Sequence, residues 1–160
     1  MKSNAPPRPP VLHIITASLA LTLPLLFIAL LATQTTELLF IPSIGAAAAL
    51  IVGAPSLPLA QPRNVIIGHL VGATVGVLAM HTLGSNALSA AVASGVTFGL
   101  MLSLRSAHSP AVATAIVAVL SPPDNDLHFI GVVFVASVLV VVLALVANRV
   151  RKLHYPHYWW

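Results

Sequence analysis

Between Arg8 and Arg149 the chain carries five charged side chains, Glu37, Arg63, Arg105, Asp124 and Asp126, and each sits at a break between apolar runs. Lipid offers no partner to a backbone amide, so uncharged runs of this kind must satisfy their own hydrogen bonds as helices or closed barrels. The runs at 13–33 and 127–148 reach the ~20 residues a helix needs to cross the hydrocarbon core. Charged residues make up 6% of the chain and mean hydropathy is +1.00, whereas soluble domains carry about 25% charged residues. The sequence is that of an integral membrane protein, all-α. The net charge of +4 does not point to nucleic acid, because no basic stripe is interleaved with aromatics. With no cysteine, disulfides, thiolate metal sites and cysteine nucleophiles are excluded.

Six apolar segments follow in order. A proline-rich arm, 1–12, precedes segment one at 13–33, which is read as a retained helix with a kink at Pro24. A polar turn, 34–37, leads to segment two at 38–54. Three prolines in 55–63 exclude a helix there. Segment three covers 64–82, a turn falls at 83–86, and segment four covers 87–104. Segment five is the short run 110–123, with a loop at 121–126, and segment six covers 127–148. The tail 149–160 is basic and aromatic, the composition of an interfacial anchor.

Charge sorts by side. If all six segments cross, Lys2, Arg8, Arg63, Arg105, Arg149, Arg151 and Lys152 share one face, and Glu37, Asp124 and Asp126 share the other. The positive-inside rule then puts both termini in the cytoplasm. Four spanning helices with segments two and five re-entrant would put Arg63 and Arg105 on the wrong side. Six crossings are preferred, and they make the halves, 13–82 and 87–148, a 3+3 inverted repeat.

Segments two and five carry nearly the same punctuation. Pro42-Ser43 opens one and Pro55 closes it; Ser109-Pro110 opens the other and Pro122-Pro123 closes it. Both runs are short for a crossing. The apolar stretch before Pro42, extended at ~3.3 Å per residue, reaches the bilayer middle. Serine at an N-cap and proline at the first helical position mark helix starts. Two broken helices starting at the midplane would point N-termini at one another, each with unpaired N–H groups and partial positive charge. Paired short segments in the two halves of a membrane chain point to a transport site, and opposed N-termini favour an anion. Ser43, Ile44, Gly45, Ser109 and Ala111 are the expected anion-binding positions. The plainer reading is a kinked bundle in which serine and proline only end helices.

His69 lies inside segment three, where ionisable groups are functional candidates; a neutral histidine bridging helices is the plainer alternative. His108 abuts the second helix start. Both are candidates to line a pore or couple protons. Arg63 and Arg105 would attract anions to the mouth, or simply obey the sidedness rule. Gly68, Gly72 and Gly76, and Ala91, Gly95 and Gly99, form small-residue faces that let helices pack closely. A unit this small is expected to form a homo-oligomer through such faces. No catalytic residue set, metal site or cofactor is expected: there is no carboxylate pair and no HExxH spacing.

Gly53-Ala54-Pro55, Pro58-Leu59-Ala60-Gln61-Pro62-Arg63-Asn64 and Gly68-His69 resemble the signature of the HPP family of integral membrane proteins. The namesake His-Pro-Pro falls at His108-Ser109-Pro110, with serine replacing the first proline. The resemblance covers 37–148 and makes His108, Pro110, Gln61, Pro62, Arg63 and Asn64 motif residues of an HPP transmembrane domain over 13–148. The family is usually described with four transmembrane segments, and some members are linked to nitrite transport. The resemblance therefore implies a transporter or channel for a small monovalent anion, nitrite foremost. Its partners would be the anion and the lipid bilayer, and its expected place a bacterial plasma membrane. The alternative is a non-transporting membrane accessory or scaffold.

Overall fold

Proline and asparagine set the helix starts. In the computed structural model, which describes residues 7–35 and 41–159, α1 spans Val11–Thr35, α2 Pro42–Gly53, α3 Pro62–Leu83, α4 Ala87–Ser103, α5 Pro110–Leu120 and α6 Asp126–Val150. Pro42, Pro62 and Pro110 each take the first helical turn, where their missing N–H costs nothing. Asn86 and Asn125 cap α4 and α6, their side chains accepting from the backbone N–H of Ser89 and His128. Gly84 follows α3 at φ +81, a conformation glycine adopts without strain. The loop after α2 holds a single 3-10 turn at Pro58–Ala60, so its prolines exclude an α-helix but not every helical turn. No strand occurs among the described residues. The predicted end of the polar turn, at 36–37, and the descent 38–40 lie outside the described residues.

By length and apolarity α1, α3 and α6 qualify as membrane spans, while α2, α4 and α5 are shorter. Among the described residues the expected six α-helices of a membrane protein are therefore present, with α2 and α5 the shortest at 12 and 11 residues. Helix α3 is the long reference: at 1.5 Å per residue its 22 residues extend ~33 Å. Its basic end carries Arg63, which donates to the carbonyls of Arg105 and Leu104. Its other end carries His81, whose Nε2 lies 2.7 Å from Asp126 Oδ2 at the start of α6.

Helix α5 begins beside the interior of α3. A Cβ on Gly68 would lie 3.3 Å from that of Ala111, and a Cβ on Gly72 would meet the Ala111 carbonyl. From there α5 runs toward the acidic end, where Gly76 faces Ala115 and Ala118. Helix α2 starts at the same depth, because Ser43 hydrogen-bonds Thr114. It runs the opposite way: the carbonyls of Ile51 and Val52 accept from Asn148 and Arg151 at the far end of α6. The two short helices thus meet inside the protein, the first turn of α2 against Thr114 in the second turn of α5, and diverge toward opposite faces.

Lipid is as apolar as the side chains it replaces, so close backbone approach holds such helices together. The Gly68, Gly72 and Gly76 face is a packing seam against α5. It is buried within the chain and not available to a second copy. Gly95 and Gly99 have open space around them on the outer side of α4. A larger apolar core gathers Ile28, Ile44, Ile51, Val65, Val133 and Val140 between α1, α2, α3 and α6. Helix α1 is peripheral, its side chains largely exposed. The tail folds back: Tyr155 is buried, its hydroxyl donates to the Ala60 carbonyl at 3.0 Å, and the His157 N–H donates to Gln61 Oε1. It braces the 55–61 loop, which is more than an interfacial anchor would do.

The principal helix neighbours are α3 with α4, α5 and α6; α4 with α5; α1 with α2 and α6; and α2 with α5 and α6. Exchanging α1 with α4, α2 with α5 and α3 with α6 returns the same set. A two-fold relation between the halves requires this pairing, but the inverted repeat itself is not confirmed by it.

Candidate functional site: a buried polar chain where two short helices meet

Ser43, Thr114, His69 and His108 form one buried polar group contributed by α2, α5, α3 and the loop before α5. The Thr114 hydroxyl donates to Ser43 Oγ at 2.8 Å. That leaves the Thr114 oxygen to accept from His69, whose Nδ1 is 2.8 Å away. The rings of His69 and His108 meet edge to face with centroids 5.1 Å apart. His108 Nδ1 lies 2.7 Å from the carbonyl oxygen of Leu59. A carbonyl only accepts, so His108 carries its proton on Nδ1. Both imidazoles, when neutral, therefore present a bare lone pair at Nε2.

These lone pairs are orphans. His69 Nε2 and His108 Nε2 have no hydrogen-bond partner, and neither do Asn64 Oδ1 and Thr97 Oγ1. Both histidines are fully buried. A buried polar atom without a partner costs about 1–3 kcal/mol, and buried polar atoms are rarely left unmatched. Ionisable groups inside a membrane protein mark pathways and relays. Chemically, the pair accepts a proton or a hydrogen-bond donor. Among the described residues no cluster of three or more histidine, aspartate or glutamate side chains gathers to hold a metal.

The helix starts differ from the serine-capped pair expected of them. The N-cap of α2 is Ile41, with Pro42 first in the helix and Ser43 second. The Ile44 and Gly45 N–H groups donate back to the Ile41 carbonyl, at 3.0 and 3.5 Å, and the Ala111 N–H donates to His108 O at 3.0 Å. These three amides are thus engaged in their own turns, not left as free anion donors. Ser109 holds the N-cap position of α5, but its side chain makes no cap bond and is exposed. It stands apart from the buried group, as a residue already in helical backbone geometry points away from the turn it would cap.

The motif residues brace this group. Gln61 Nε2 donates to the carbonyls of Pro55 and Leu57, both at 2.9 Å, and its Oε1 accepts from the tail. Pro62 starts α3. Arg63 donates at 2.7 and 3.0 Å to Arg105 O and Leu104 O at the end of α4, where a cation complements the helix dipole. Asn64 Nδ2 donates to the Ala107 carbonyl at 3.1 Å. The 55–64 stretch thereby holds both sides of His108, through Leu59 and Ala107. Arg63, expected to draw anions, is committed to this bracing. Arg105 is exposed at the basic end, at φ 52. Thr114 was not singled out from sequence: one threonine in an alanine and valine run reads as a core residue. Its polar partners lie 45 and 71 residues away.

Two transmembrane proteins of Dictyostelium discoideum are similar to this chain. One is 38% identical over 128 residues, 75% of this chain and 45% of that protein. The other is 37% identical over 126 residues, 74% of this chain and 40% of that protein. The chain spans less than half the length of these curated relatives. No solved structure matches it at a significant level. The family profile described as the HPP transmembrane region matches residues 6–156, which takes in every helix and both halves of the buried histidine pair. The chain belongs to the HPP family of transmembrane proteins.

Proposed function

We propose that this protein is a transporter or channel for a small monovalent anion, nitrite foremost, and not an enzyme. The carrying observation is the contact of the α2 N-terminal turn with the second turn of α5 at Ser43–Thr114, beside two buried histidines with unpartnered ring nitrogens. The dipole of α2 brings partial positive charge to Ser43, and that of α5 brings it to His108 just before its start, even with their first amides engaged. The apolar runs hold no carboxylate to oppose an anion: Glu37, Asp124 and Asp126 all fall at breaks between those runs in the sequence. The exchange-symmetric helix pairing is what an inverted-repeat transporter requires.

We place the basic face in the cytoplasm by the positive-inside rule. A bacterial plasma membrane is part of the same proposal and rests on no comparison, since the similar proteins come from Dictyostelium discoideum. A homo-oligomer would use the outer face of α4, with Ala91, Gly95 and Gly99, because the glycine face of α3 is taken by α5.

One observation favours a second reading, a non-transporting accessory. The polar group is closed off from solvent, and a partly open cavity of about 930 Å³ lies elsewhere, between Leu19, Leu23 and Phe27 of α1 and Leu143 and Val146 of α6. Uptake of nitrite by proteoliposomes decides between them. Uptake above protein-free vesicles supports the transporter; none, with folded protein and a stoichiometric partner recovered from membranes, supports the accessory.

A further inference from the structure

The anion reading leaves a physical problem at its own site. In their neutral forms His69 and His108 offer lone pairs at Nε2, and Asn64, whose Nδ2 is committed to Ala107, leaves Oδ1 as a further unpartnered acceptor nearby in the fold. Lone pairs repel an anion. A proton on one ring would supply the missing donor, but an imidazolium alone in this interior would be an uncompensated buried charge, which is costly. An anion alone would be equally uncompensated. Bound together they form a neutral, hydrogen-bonded pair, so each favours the other.

Among the described residues the surroundings supply no competing charge. Helix α2 brings Ser43, α5 brings Thr114 and Ala111, α4 brings Met101, and the 55–61 loop brings the Leu59 carbonyl. None of the residues in 42–53, 87–103 or 110–120 is ionisable. Arg63 and Arg105 stand at the basic end, Arg63 donating to backbone carbonyls there. The ionisable residues of α6 are Asp126, His128 and Arg149, all at its ends, and α1 carries His13 in its first turn. Among the described residues His69 and His108 are the ionisable side chains of this buried group, each with an unpartnered ring nitrogen.

We propose that the unpartnered ring nitrogens of His69 and His108 take up one proton together with the anion, so that the protein moves the two as an electroneutral pair. This rests on the anion-transport reading. The proton comes from the water at one face, is held at Nε2 while the anion occupies the site, and leaves with it at the other.

The test uses proteoliposomes with sodium nitrite as probe, with protein-free vesicles to subtract passive permeation of nitrous acid. Two gradients are imposed separately: a pH step, and a potassium diffusion potential set with valinomycin. Coupled movement predicts uptake that follows the pH step, accumulates about tenfold per pH unit, the value of one proton's free energy, and ignores the potential. In His108→Asn and His69→Asn the amide nitrogen replaces the Nδ1 donor and removes Nε2. Both are expected to keep the fold, by elution profile and helical circular dichroism, and to lose the pH response at least tenfold. His154→Gln, in the exposed tail, is expected to behave as wild type. Uptake that follows the potential and ignores pH overturns the coupling and leaves the anion reading standing. No uptake above protein-free vesicles under either gradient overturns both. If the asparagine variants do not fold, the response of the wild-type protein to the two gradients decides.

Discussion

His108 donates through Nδ1 to the carbonyl of Leu59 at 2.7 Å, across 49 residues of sequence. This bond ties the loop after α2 to the loop before α5. It fixes the tautomer that leaves the other ring nitrogen bare, and it aims that ring at His69. A motif residue and a motif loop that look independent in sequence are one structural unit.

Replacing His108 separates the bond from the ring. His108→Ala leaves the part-buried Leu59 carbonyl without its donor and removes the ring that packs against His69, and is expected to destabilise by about 2–3 kcal/mol. His108→Asn retains a donor at the same place and is expected to lose less than half of that. Thermal or denaturant unfolding in a fixed detergent gives both values; equal losses would show that the bond contributes nothing.

The two small-residue faces are expected to respond oppositely. Gly72→Ala places a Cβ against the Ala111 carbonyl and Gly76→Ala places one 2.7 Å from that of Ala115. Each should cost about 1–3 kcal/mol by overpacking. Gly95→Ala meets open space and gains helix propensity, so it should be neutral or stabilise by up to about 1 kcal/mol. A destabilised Gly95→Ala that also loses a higher-order species on sizing would place a second copy on that face.

Arg63 distinguishes bracing from attraction. Arg63→Ala removes the guanidinium from the end of α4 and is expected to lower stability by about 1 kcal/mol. Lysine should recover only part of this, because an ammonium cannot match the planar fork that reaches two carbonyls. A variant with unchanged melting but slower anion uptake would assign Arg63 to attraction instead.

Tyr155 makes stability fall at alkaline pH. Burial pushes its phenol well above the ordinary tyrosine range near 10. A group whose folded pKa is raised contributes stability that is fully present below its unfolded pKa and is lost as pH rises beyond it. Unfolding of wild type should be indifferent to this residue up to about pH 9 and weaken above pH 10, and Tyr155→Phe should remove that part of the alkaline slope. Parallel slopes in the two proteins would mean that Tyr155 is solvated in solution.

Much of the fold is legible along the chain because its signals act locally. Pro42, Pro62 and Pro110 start helices through their missing N–H, Asn86 and Asn125 cap through one side-chain oxygen, and the five isolated charges fall at breaks between apolar runs because lipid excludes them. His69 is recognisable as an ionisable group inside an apolar run. Other roles are not legible, because they depend on partners far away in sequence. Thr114 is a polar relay only because α2 delivers Ser43 and α3 delivers His69 to it. Ser109 looks like a cap, yet its backbone is already helical and its side chain is exposed. Arg63 looks like a charge at a mouth, yet two carbonyls of the α4 end hold it.

The sequence by itself determined that this is an all-helical membrane protein whose two proline-opened runs, at Pro42 and Pro110, form the shortest of the described helices, since hydropathy and proline act within a few residues and within the lipid's own demand for satisfied amides. Only the tertiary structure decided that the first turn of α2 meets Thr114 of α5, that the glycine face of α3 is spent inside the chain against α5, and that two histidines share a buried edge with ring nitrogens unpartnered. Those outcomes depend on which surfaces pack together across 40 or more residues, and hydrogen-bond satisfaction is settled only when every neighbour is in place.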